Sequence, residues 1–143
     1  MKMHLLAGAL VAALIAPAVH AEELDFSTPD KAATRSAETA MAASLNDAKA
    51  AGAESAVWAK PFDLNGDGKP EIVGQISSAY LCGGMGPCFF VLKSAGAGYV
   101  ELFNVPGVDM VEVLDTRTQG WRDLLFNGEA RWRFNGKTYD IAK

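Results

Sequence analysis

Asp63, Asn65, Asp67 and Glu71 fall within the nine-residue run DLNGDGKPE, with Gly68 directly after the third of them. Carboxylates and a carboxamide are hard oxygen donors, and such donors suit calcium or magnesium rather than soft metals. The spacing D-x-N-x-D-G-x-x-E matches the first nine positions of an EF-hand-type loop. Asp63, Asn65 and Asp67 would supply side-chain oxygens. The backbone carbonyl of Lys69 would supply a fourth, and Glu71 would close the shell directly or through water. Gly68 permits the sharp turn that brings them inward. The twelfth position, where an EF-hand carries a bidentate Glu, is Gly74. A site lacking that ligand is weak, with a dissociation constant on the order of 10⁻⁴ to 10⁻³ M. The competing reading is a plain turn, since Asn, Asp and Gly favour turns without an ion. Three acids this close repel one another, and Lys69 offsets one charge at most, which favours the ion.

Cys82 and Cys88 are the only two cysteines, in YLCGGMGPCFF. In an exported chain such a pair reads as a disulfide. A redox-active pair is the sharper alternative, but the spacing is not the two-residue spacing of thioredoxin-type motifs. A thiolate metal site would need two more soft ligands. The intervening GGMGP places Met85 at the apex of what reads as a hairpin tip. A pre-ordered tip with one adaptable apolar side chain suits docking to a partner, so Met85 is a candidate contact residue. A mobile, tolerant loop is the plain alternative.

Export is read from residues 1–21. Lys2 gives a positive start, Leu5–Ile15 is an apolar run, and Val19 and Ala21 fit a small-residue cleavage site. This pattern predicts a signal peptide, too short in its apolar run for a membrane span of ~20 residues. The expected product is residues 22–143, one domain, periplasmic or secreted, with no transmembrane segment. Both histidines, His4 and His20, would leave with the leader. That removes Ser-His and Cys-His nucleophilic pairs, His-ligated metals and the usual proton shuttle near neutral pH. The formal net charge of -4 becomes one unit more negative, which argues against a nucleic-acid partner. No acid pair outside the calcium loop suggests a glycosidase dyad. The sequence therefore predicts a non-enzymatic protein.

The elements that must hold these residues are of two kinds. Residues 27–52 are Ala-rich and read as one helix, with Thr28 as cap, Pro29 at the first helical position and Gly52 as stop. Ala37, Met41, Leu45 and Ala48 fall on one thin apolar face. Residues 56–143 read as β-rich, with strands at 56–62, 71–81, 88–93, 99–105 and 110–115. The C-terminal run WRDLLF-NG-EARWRF-NG-KTYDI predicts a three-stranded meander closed by two-residue turns at Asn127-Gly128 and Asn135-Gly136. That register sets Trp132 against Tyr139, Ala130 against Ile141 and Arg131 against Asp140. Arg131 and Arg133 would form either an anion site or a solvated strand face. The fold class is α+β: an N-terminal helix packed on a mainly antiparallel sheet with a C-terminal meander.

Because DLNGDGKPE runs into the apolar strand IVGQIS rather than a helix, it resembles the strand-loop-strand calcium motif of FG-GAP and related repeat proteins. The resemblance covers about 11 residues and occurs once, so it implies a calcium-held turn and not a propeller, which needs several blades. The order of acidic loop, Cys-containing turn and the segment Thr118–Leu124 is similar to small exported bacterial proteins, a likeness that carries no activity with it. Together these features predict an exported, calcium-stabilised module that binds an unidentified protein or envelope component. The alternatives are an inhibitor or immunity protein against a cell-wall-degrading enzyme, and a carboxylate-based glycan hydrolase.

Overall fold

In the computed structural model, residues 12–16 and 18–143 are described. Most of the leader expected over residues 1–21, namely residues 1–11 and 17, lies outside the described residues.

The Ala-rich segment forms two helices rather than one. The first, α1 (Lys31–Ala40), is capped by Asp30, whose side chain accepts from Ala33 N at 2.7 Å. The cap is therefore Asp30, not Thr28. Asp30 takes the extended backbone of an N-cap and reaches the same kind of first-turn N–H that Thr28 would. Met41, with φ -104° and ψ 15°, interrupts the helix, and α2 (Ala42–Ala50) follows. Gly52, at φ +78°, stops α2 and donates to Lys49 O, while Ala53 donates to Ala48 O. Ala33, Ala37, Met41 and Ala48 are buried, with Leu45 packed beside them. The small residues let α1 lie close to the sheet.

Two antiparallel sheets stand where one was expected. The first contains β2 (Ala56–Phe62), β3 (Glu71–Ser77), β4 (Cys88–Ala95) and β5 (Gly98–Val105) in chain order. The second contains β1 (Ala21–Glu23), β6 (Val111–Thr118), β7 (Trp121–Phe126), β8 (Ala130–Phe134) and β9 (Tyr139–Ile141), in the order β1-β6-β7-β8-β9. The reason lies in β4, where Cys88 to Leu92 are buried without a break. A strand apolar on both faces needs cover on both. Phe89 and Val91 join Val73, Val111, Val113, Leu124 and Phe126 in one core cluster. Phe90 and Leu92 join Ile72, Ile76, Ala37 and Met41 in another. The layers are helix, sheet, sheet.

Strand β3 ends at Ser77, not at 81. Ser78 accepts from Leu81 N at 3.3 Å and caps a short helix, α3 (Ala79–Cys82), which continues into a 3₁₀ turn at Gly83–Met85. In the meander, the register differs by two residues from the sequence reading. Phe134 pairs with Tyr139, Arg133 with Asp140 and Trp132 with Ile141. Asn135 Oδ1 accepts from both Lys137 N and Thr138 N at 3.0 Å, making a four-residue connection in place of a two-residue turn. A slip of two keeps every side chain on its expected face. Asn127 and Gly128 do take the positive φ expected of them, but Phe126 pairs with Ala130, so three residues separate the strands.

Two sheet edges are blocked. On β2, Ala59 O accepts from Asp30 N at 2.9 Å and Ala59 N donates to Thr34 Oγ1 at 3.2 Å. On β5, a bulge shifts the register and Leu102 O accepts from Thr138 Oγ1 at 2.8 Å. Such devices discourage a further strand from pairing.

Candidate functional site

The acidic loop connects β2 to β3 and is wound on its own backbone. Asp63 Oδ1 accepts from Gly66 N at 2.8 Å, and Asp63 Oδ2 accepts from Gly68 N at 2.9 Å. Asn65 Oδ1 accepts from Asp67 N at 3.1 Å, and Asp67 Oδ1 accepts from Lys69 N at 2.8 Å. Gly66 and Gly68 both have φ near the left-handed value, +73° and +80°, which a Cβ would resist. Glu71 begins β3 and is buried, with Oε2 accepting from Leu64 N at 2.7 Å. Burial raises its carboxyl above the ordinary carboxylate value. Backbone N–H groups oppose that rise, and the charges of Asp67 and Asp63 add to it. A cation at the loop would relieve that repulsion.

The loop is also fastened to the other sheet. Leu64 is fully buried, and its carbonyl accepts from Arg122 N at 2.8 Å and from Arg117 Nη1 at 3.3 Å. Arg117 Nη1 donates at the same time to Gly120 O at 2.9 Å. The guanidinium therefore clamps the loop onto the β6–β7 turn, beside Gly66. Sequence reading missed Leu64, Arg117 and Arg122, because a contact between elements this far apart leaves no local pattern. The one available signal was Leu64 itself, an apolar residue within an otherwise polar loop.

Of the five expected ligand residues, Asn65, Asp67, Lys69 and Glu71 line one cleft of about 290 Å³ with Lys93, Ser94 and Trp121. Among the described residues, no group of three or more His, Cys, Asp or Glu side chains is gathered as a metal cage. The donor set nevertheless suits a hard cation by its chemistry, an all-oxygen set with two ionisable aspartates.

Cys82 and Cys88 are joined in a disulfide, with Cα atoms 5.5 Å apart. Both are buried, at 4 % and 3 % exposure. Their ring spans the end of α3 and the 3₁₀ turn, so it closes a helical connection and not a strand hairpin. Met85 is 70 % exposed, and Tyr80, in α3, is 54 % exposed. The segment is braced from behind, where Val108 N donates to Pro87 O at 3.0 Å.

Arg133 pairs across the sheet with Asp140, and Arg131 Nη2 donates to Thr116 Oγ1 at 3.4 Å. Asp123 was missed by sequence reading; it is 2 % exposed and accepts from the Thr116 and Thr118 hydroxyls, each at 2.7 Å.

No protein-family model, curated protein or solved structure is significantly similar to the chain. Among the described residues, no helix is long and apolar enough to cross a membrane.

Proposed function

We propose that the protein is an exported, periplasmic or secreted binding module that works without catalysis. Calcium at Asp63, Asn65, Asp67, Lys69 O and Glu71 stiffens the β2–β3 loop. The Cys82–Cys88 segment makes the contact with a protein or envelope component. The observation that carries this reading is the exposure of Met85 and Tyr80 on and beside a covalently closed, buried-rooted ring. Large apolar side chains held out on an ordered segment lose little entropy on docking, and Met adapts to irregular surfaces.

The test is affinity capture from the native envelope, in calcium and then in chelator, comparing wild type with Met85→Asp. The variant should fold and respond to calcium as wild type does, yet lose partner affinity by about 1 kcal/mol or more if Met85 is an energetic centre. Capture of the same partners at the same strength would remove Met85 from the contact.

A further inference from the structure

Beyond Asn65, Asp67, Lys69 and Glu71, the cleft beside the acidic loop is lined by Lys93, Ser94 and Trp121, which the calcium reading does not use. Three chain connections meet there. The β2–β3 loop supplies Asn65, Asp67 and Lys69, the end of β4 supplies Lys93 and Ser94, and the start of β7 supplies Trp121. Both sheets thus contribute to one end of the sandwich, where loops on a rigid scaffold commonly carry binding residues. The Trp121 ring is fixed by stacking on Phe134, with centroids 4.6 Å apart and planes 26° apart, and by an edge contact with Tyr139 at 6.3 Å. An aromatic wall held this way costs little to order when a ligand arrives.

In the ion-free loop the polar lining balances in sign. Asp67 and Glu71 stand against Lys69 and Lys93. An anion entering the cleft meets the Asp67 carboxylate, with Glu71 buried behind it, and a cation meets two ammonium groups. The amide of Asn65 and the hydroxyl of Ser94 both donate and accept. A ligand that matches this set is neutral, carries many hydroxyls that donate and accept, and has one apolar face for the indole. A pyranose ring has that amphipathic form, and about 290 Å³ accommodates one ring. The larger groove of about 630 Å³ near α2 and β2, with Leu45, Asn46, Lys49 and Val57 in its lining, contains no aromatic side chain.

We propose that this cleft binds one pyranose unit of a neutral glycan, with Trp121 as its platform and Asn65, Lys69, Lys93 and Ser94 fixing the hydroxyls. The site is separate from Met85, and it shares the acidic loop with the calcium reading without requiring the ion for its polar contacts.

Calorimetric titration of the purified protein with cellotetraose, maltotetraose and chitotetraose, each in calcium and in chelator, tests the inference. Saturable binding of at least one is expected. Trp121→Ala should weaken it at least tenfold. Because Trp121 also packs on Phe134, a second variant decides if the first fails to fold. Ser94→Arg projects from an exposed position on β4 and fills the cleft, and it should lose binding to the same degree with unchanged melting. Absence of binding to all three sugars, or wild-type affinity in Ser94→Arg, overturns the inference. The melting shift with calcium is scored separately, so a failure here leaves the calcium reading to its own test.

Discussion

The carbonyl of Leu64 accepts a hydrogen bond from Arg122 N at 2.8 Å, so a loop of the first sheet is bonded to a strand of the second. The Leu64 side chain meanwhile belongs to the core cluster that both sheets share. The acidic loop is thereby part of the core's closure as well as a surface turn.

Leu64→Ala should cost about 2–5 kcal/mol, the usual range for a fully buried Leu. Demetallated wild-type protein should gain stability in millimolar calcium, and Asp63→Ala with Asp67→Ala should abolish the gain. At 10 times the dissociation constant, about 1 to 10 mM for a site this weak, the gain is ~1.4 kcal/mol. Thermal melts in calcium and in chelator decide it. Identical melting temperatures for wild type would end the calcium reading, whatever Leu64→Ala does.

Reduction of Cys82–Cys88 should leave the domain folded. The ring closes over a sequence separation of only 6, and a loop this short constrains little of the unfolded chain, so the cost should be ~2 kcal/mol or less. Urea unfolding with and without reductant measures it. Loss of the cooperative transition on reduction would show that the ring carries more of the fold than this.

Tyr139 is buried and donates to Arg122 O at 2.8 Å. Burial first, and then the charges of Glu71 and Asp123, hold its phenol well above the ordinary value of 10.0. A raised folded value means that the stabilisation is complete below pH ~10 and is lost as pH rises beyond it. Tyr139→Phe should therefore cost about 1 kcal/mol at neutral pH and flatten the alkaline decline. Urea titrations at neutral pH and above pH ~10 compare the two proteins, and an equally steep decline in both would acquit Tyr139.

Gly74 shows where sequence reading stopped. It occupied the position of the missing EF-hand glutamate and read as an absent ligand. In the structure it is a place where no side chain fits. A Cβ there would lie 2.5 Å from Trp58 O and press into the Phe90 ring. Gly74→Ala should destabilise by about 1–3 kcal/mol or more from overpacking, measurable by denaturant melts. A neutral effect would show that Phe90 can move aside.

Periodic and local signals were legible: the thin helical face through Ala37 and Met41, the strands β2 to β6, the faces of Trp132 and Tyr139, and the cysteine pair, whereas the three-residue β1 was not. What escaped was set by distant contacts or by a single turn's chemistry. The second sheet follows from β4 being apolar on both faces, a pattern present in CFFVL but ambiguous without knowing what covers it. The meander register depended on Asn135 bonding its own loop. The Ser78 cap turned three expected strand residues, 79–81, into a helix.

Strand β1 has the most remote partner in the molecule's second sheet: Glu22 pairs with Val113 and Glu23 with Glu112, both on β6. Every other strand in that sheet pairs with its neighbour in sequence. Pairing β1 with β6 is therefore the one step in this sheet that must close a loop of that length, while the first sheet is built wholly from hairpins between sequence neighbours.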